Sequence, residues 1–195
     1  MPILIGISGK KHTGKTSVAN IIMRVTGNVN PIRYSKWDQR SFATPVKDIC
    51  GYLTSDDVTN YNSETKKYEL AKGLNITRRE FMQKLGTDVT RSIDPNIWVK
   101  YLANHILDDK GKLVKNVIVD DVRFKNEADF IIKHGGILIR LNGNPGNIET
   151  EIGNDHASEC ELDSYPFKYV LDTGKIGTRE FISAISDILT TNKVI

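Results

Sequence analysis

At 195 residues the chain is sized for one α/β domain with insertions, and two full domains would be cramped. Apolar residues make up 39% and charged residues 26%, a balance that sets disordered and membrane-embedded classes aside. Lys and Arg total 27 against 24 Asp and Glu, and a net charge of +3 is too small a cationic excess for a dedicated duplex-DNA binder. Neither a nucleic-acid polymer nor a membrane is therefore expected as a partner. Cys50 and Cys160 cannot build a disulfide framework, and neither lies in a Cys-x-x-Cys metal pattern. Both read as reduced thiols of a cytoplasmic protein, and the opening Met-Pro-Ile-Leu-Ile-Gly lacks the basic stretch of an export signal.

Residues 3–7 form a short β-branched apolar run, the pattern of a strand buried on both faces. A glycine-rich turn follows, then Val18, Ile21, Ile22 and Val25 recur at helical spacing until Gly27 stops them. Residues 31–35 are a weaker strand candidate, residues 45–53 a short helix, and residues 54–72 a polar excursion. Thr77 and Glu80 fit a capping box. The helix behind it carries Phe81, Met82, Leu85 and Val89 on one face and Arg79, Gln83, Gly86, Thr87 and Thr90 on another. Asp94-Pro95 opens a further helix through Trp98, Leu102 and Ile106. Residues 117–119 are a buried strand ending in Asp120-Asp121, residues 128–133 a helix ended by Gly135-Gly136, and residues 137–141 another strand. Residues 142–155, rich in Asn and Gly, read as a lid, residues 169–171 as a last strand, and Phe181 to Leu189 spaces its apolar residues as an amphipathic helix. The alternation predicts a three-layer α/β fold, with about five parallel strands and helices on both faces. As a single domain over 1–195, its core spans about 1–35 and 110–195, with a helical insertion over about 36–109 and the lid over about 142–157.

The chemistry concentrates at Gly9-Lys10-Lys11-His12-Thr13-Gly14-Lys15-Thr16, a full match to G-x-x-x-x-G-K-[ST] placed between a buried strand and a helix. Glycines there let backbone N–H groups turn inward around a phosphate chain, and the helix N-terminus adds positive charge. Lys15 would reach the β- and γ-phosphates and Thr16 would ligate magnesium, with Ser17 beside them. Asp120-Asp121 ends a strand where such proteins keep a magnesium-side carboxylate, and Asp121 is assigned that role although the sequence does not separate the two. Arg123, two residues on, offers the fork geometry that a phosphate dianion accepts bidentately. His12, His105 and His134 have no metal-ligand partner at the right spacing.

Taken together, several segments resemble the phage-type deoxynucleoside monophosphate kinases, members of the P-loop nucleoside monophosphate kinase-like proteins. They are the P-loop, Phe42-Ala43-Thr44-Pro45-Val46-Lys47, residues 79–86 leading to Thr87-Asp88, Arg91, and Asp94 with Trp98. Asp121-Val122-Arg123-Phe124-Lys125-Asn126-Glu127, Gly135-Gly136 and His156-Ala157-Ser158-Glu159 complete the set. The resemblance implies ATP- and magnesium-dependent transfer of the γ-phosphoryl group to a deoxynucleoside 5′-monophosphate, a small-molecule partner. It makes Lys15, Asp121 and Arg123 catalytic candidates, and Arg79, Gln83, Trp98, Arg123 and Glu127 candidates for the acceptor site, with Ser8 and Gly86 counted among them. It also implies a homodimer working in the cytoplasm, that of the host if phage-encoded. The lid holds no Lys or Arg, so Arg140 at a strand end is assigned to the ATP side in place of the usual lid arginine. Phosphomevalonate kinases share part of the pattern and are the competing small-molecule reading. A guanine-nucleotide switch is disfavoured because Asn192-Lys193 is not followed by an Asp at the required place. An ATP-binding module without acceptor activity is the other alternative.

Overall fold

The computed structural model describes residues 1–27, 36–143 and 160–195. These fall into two compact units, Met1–Ser41 with Ala103–Ile195, and Phe42–Leu102. The strands are β1 (Leu4–Gly9), β2 (Trp37–Arg40), β3 (Asn116–Val122), β4 (Ile137–Asn142) and β5 (Tyr169–Asp172). The helices are α1 (Lys15–Val25), α2 (Thr44–Thr54), α3 (Val58–Asn62), α4 (Arg78–Gln83), α5 (Thr90–Ile93), α6 (Ile97–Ile106), α7 (Lys125–Lys133) and α8 (Arg179–Thr191), with a π-helical turn (Lys84–Val89) between α4 and α5.

In the first unit all five strands run parallel in the order β2-β3-β1-β4-β5, so β1 is central and β2 is an edge. Alternate residues send their side chains to opposite faces. Ile5, Ile7, Ile118, Ile137, Ile139 and Leu141 join one buried cluster with Val18, Ala19 and Ile22 of α1 and with Phe181, Ile185 and Leu189 of α8. Burying each large aliphatic side chain is worth roughly 1.5–3 kcal/mol, so this layer fixes α1 behind the first turn. The other face receives α7. A Cβ on Gly6 would lie 3.0 Å from Ile131 Cγ1 and 3.0 Å from Leu138 Cδ1, so only glycine lets the helix approach that closely. Helices thus cover both faces of the sheet, giving the three-layer α/β fold.

Residues 31–35, read as a weak strand from sequence, lie outside the described residues, and the fifth strand is Trp37–Arg40. The lid residues 144–157 lie outside them as well.

The second unit is helical. Its capping box is complete, with Glu80 N–H donating to Thr77 Oγ1 at 3.1 Å and Thr77 N–H to Glu80 Oε2 at 2.8 Å. Helix α4 does not continue with a 3.6 period, because the π turn widens the register over Lys84–Val89. Gly86 is therefore buried against Val46, its hypothetical Cβ 3.1 Å from Val46 Cγ1, whereas Val89 is 51% exposed rather than on the apolar face. Helix α6 starts at Ile97, two residues later than its proline suggests, because the Asp94 carboxylate accepts from Asn96 N–H at 2.9 Å and holds a turn there.

Candidate active site

The loop between β1 and α1 needs two left-handed residues, His12 at φ 62° and Gly14 at φ 78°. At Gly14 any side chain would meet Ile176, whose Cδ1 lies 2.6 Å from the ideal Cβ position. Thr13 is buried and closes the loop on itself, its hydroxyl donating to the Lys10 carbonyl at 2.8 Å. The ammonium of Lys15 donates to the carbonyls of Gly9 and Lys10, both at 2.8 Å, so it rests over the loop. The first turn of α1 carries no acidic residue of its own.

Beside this loop β3 carries one extra residue. Gly6 pairs with Val119 and Ser8 with Val122, so Ile7 alone is opposed by Asp120 and Asp121. The bulge decides which carboxylate meets the loop. Thr16, expected to work with Asp121, donates from its hydroxyl to Asp120 Oδ2 at 3.1 Å, and Gln39 Nε2 donates to the same oxygen at 2.7 Å. Asp121 instead accepts from the Ser41 hydroxyl. Burial, and then the neighbouring Asp121 charge, push the Asp120 carboxyl above its usual range despite those two donors.

Past the bulge, Glu127 is 1% exposed and spends its carboxylate on the backbone, accepting from Arg123 N–H at 2.8 Å and Phe124 N–H at 3.1 Å. Those are orphan donors at the start of α7, so Glu127 caps that helix from its third residue while the Phe124 side chain cannot. Arg123 is half-buried at the same corner. Ser8 is fully buried, and its hydroxyl accepts from Arg140 Nη1 at 3.0 Å.

The remaining acceptor candidates lie in the helical unit. Arg79 and Gln83 share α4 one turn apart, with the Arg79 guanidinium 5.7 Å from the centroid of the Tyr68 ring. Trp98 is 5% exposed and donates its indole N–H to the Gly86 carbonyl at 2.8 Å, which brings those two candidates together. Sequence reasoning missed Gln39 and Ser41, which sit in and just past the unrecognised strand β2. Among the described residues no three His, Cys, Asp or Glu side chains cluster to hold a metal by themselves. None of the described helices is long and apolar enough to cross a membrane.

A parallel sheet, a G-x-x-x-x-G-K-T loop leaving its central strand and an acidic strand end touching the threonine of that loop define a P-loop nucleotide-binding protein. The profile of the deoxynucleotide monophosphate kinase family matches residues 45–171. A protein of Acanthamoeba polyphaga mimivirus, provisionally named a deoxynucleotide monophosphate kinase, is 31% identical over 194 residues, covering 94% of both chains. The chain belongs to the deoxynucleotide monophosphate kinase family and is an enzyme of that phosphotransferase class. Among solved structures it is similar to a shikimate kinase from Bacteroides thetaiotaomicron, at 13% identity and TM-score 0.42 over 98% of each chain. A gluconokinase from Sinorhizobium meliloti 1021 shows 12% identity and TM-score 0.48 over 99% of this chain and 95% of that one. The fold class rests on the sheet itself.

Proposed function

We propose that the enzyme transfers the γ-phosphoryl group of ATP to a deoxynucleoside 5′-monophosphate, giving the diphosphate and ADP. The observation that carries this reading is the Thr16–Asp120 contact beside a complete P-loop, in a chain of this family. Loop amides and Lys15 hold the donor phosphates, Lys15 exchanging its two carbonyl acceptors for phosphate oxygens. The hydroxyl of Thr16 and the carboxylate of Asp120 are hard oxygen donors 3.1 Å apart, a set that suits magnesium, which keeps several waters and takes few protein ligands. When bound there, the ion neutralises charge on the β- and γ-phosphates. This reading moves the metal-side role from Asp121 to Asp120 and leaves Asp121 as the catalytic carboxylate beside it.

Arg123 of the sheet unit is assigned to the acceptor phosphate, and Arg79 and Gln83 of the helical unit are kept as acceptor-side candidates in their own right. Glu127 and Trp98 support the site through the α7 cap and the π turn. Phosphoryl transfer asks mainly for alignment and charge neutralisation, which these side chains supply. We expect a homodimer in the cytoplasm, and light scattering reads the stoichiometry. The activity test is coupled ADP release with ATP and magnesium against each deoxy- and ribonucleoside monophosphate and phosphomevalonate, with Lys15→Ala as control. Acceptor-dependent turnover with a deoxynucleotide, lowered about a hundredfold or more in Lys15→Ala, supports the reading. Turnover only with phosphomevalonate, or none above ATP hydrolysis, overturns it.

A further inference from the structure

One carboxylate in the sheet unit is shared by two cations at the edge of the phosphate loop. Asp163 Oδ1 accepts from Arg140 Nη2 at 2.7 Å, while Asp163 Oδ2 lies 3.0 Å from the Lys10 ammonium. The two halves of this bridge differ in firmness. Arg140 is 9% exposed, hydrogen-bonded to buried Ser8 at 3.0 Å and stacked 5.5 Å from the centroid of Phe167, so its guanidinium has a fixed place. The Lys10 and Asp163 side chains are 53% and 42% exposed, and Lys10 is the second residue of the glycine loop. The segment bearing Asp163 is itself anchored on α7, with Lys125 N–H donating to Glu161 Oε1 at 2.7 Å and Tyr165 Oη to Asp129 Oδ1 at 2.9 Å.

Among the described residues, two cations on one carboxylate leave a single positive charge unmatched. A polyphosphate entering the loop is the stronger anion and can take Lys10, whereas Arg140, itself enclosed, keeps Asp163. We infer that Asp163 is a positioning residue of the donor site, a placeholder anion that holds Lys10 when the loop is empty and competes with the nucleotide phosphates for it. The inference rests on the reading of ATP as donor. Its consequence is a weaker hold on nucleotide and a faster exit of ADP, because Asp163 recaptures Lys10 as the product leaves. Release is the slow step in many such enzymes.

The discriminating variant is Asp163→Asn, which keeps an acceptor for Arg140 and removes the charge that competes for Lys10. An exposed ion pair is worth little, so fluorescent mant-ADP should bind Asp163→Asn about two- to fivefold more tightly than the parent, mainly through slower dissociation in stopped flow. The gain should shrink as salt is raised and be distinctly smaller when both proteins carry Lys10→Gln. A purely structural Asp163 would lower the melting temperature and leave affinity unchanged or weaker, and that result overturns the inference. Should Asp163→Asn fail to fold, the parent bound to a non-hydrolysable ATP analogue decides. Lys10 moved onto phosphate with Arg140 still on Asp163 supports the placeholder, and Lys10 still on Asp163 overturns it. Failure of the parent to bind mant-ADP or ATP at all would instead remove the donor reading beneath it.

Discussion

At the scale of single residues, Asp120 sets function against stability. Its carboxyl is raised by burial and by Asp121, so the folded protein binds that proton more tightly than the unfolded chain does. Ionised Asp120 therefore subtracts stability above the ordinary carboxyl range, near ~3.9, and the penalty vanishes once the pH is low enough to protonate both states. Asp120→Asn should raise the melting temperature at pH 7, leave it nearly unchanged in strong acid, and lower turnover by about a hundredfold. Calorimetry across pH with parallel kinetics checks both halves. A melting temperature that falls at pH 7 would mean that the hydrogen bonds from Gln39 and Thr16 outweigh the burial. The Thr16–Asp120 pairing was not legible in the sequence, which offers Asp120 and Asp121 as equals. It depends on a bulge that exists only when β3 is laid in register against β1.

At the scale of elements, the legible strands were those whose physics is loud. β1, β3 and β4 are buried on both faces and so read as short apolar runs rich in Ile and Val, interrupted in β4 by Arg140. β2 reads Trp-Asp-Gln-Arg because an edge strand has one buried residue to declare, Trp37, whose indole donates to Thr26 Oγ1 at 2.8 Å. The π turn was hidden for a different reason: its register shift lies in the backbone and breaks the 3.6 period that side chains would report. Its Gly86 carbonyl is satisfied by Trp98. Trp98→Phe keeps the packing but strands a buried acceptor, and should cost about 1–3 kcal/mol in denaturant unfolding. Unchanged stability together with a raised acceptor KM would instead return Trp98 to direct contact with substrate. Arg78 is the other keystone of the helical unit, donating to Asp56 at 2.7 Å with the two side chains 9% and 8% exposed. Removing one partner of a buried pair costs ~3–5 kcal/mol, and Arg78→Ala should fall at the low end because Asn60 still donates to Asp56. Arg78 first, helped by Asn60, holds the Asp56 carboxyl below its usual range. That stability is present above the ordinary carboxyl pKa and is lost only as pH falls through the lowered value. The stability gap between the parent and Arg78→Ala should therefore narrow in strong acid, leaving the part owed to the bond from Arg78 to the Lys66 carbonyl at 3.0 Å.

At the scale of the whole chain, the candidate residues are divided between two compact units. Lys15, Thr16, Asp120, Asp121, Arg123, Glu127, Ser8 and Arg140 belong to the sheet unit, and Arg79, Gln83, Gly86 and Trp98 to the helical one. The division gives the proposed roles separate readouts, because a ligand stabilises the state it binds and slows the local openings of the segments it contacts. ATP alone should slow amide exchange at Gly9–Ser17 and around Asp120 while leaving Arg78–Gln83 nearly unchanged. A deoxynucleoside monophosphate alone should slow exchange in Arg78–Gln83 and the following π turn, with a smaller effect at Arg123 and Phe124, whose amides are already held by Glu127. The loop amides between Lys10 and Thr16 are the most telling probes, since a bound phosphate chain would take its hydrogen bonds from them directly. Hydrogen exchange read by mass spectrometry over these peptides tests the partition directly. If the monophosphate protects the P-loop and leaves Arg78–Gln83 untouched, Arg79 and Gln83 are not acceptor residues, and recognition of the acceptor must be sought on the sheet unit around Arg123.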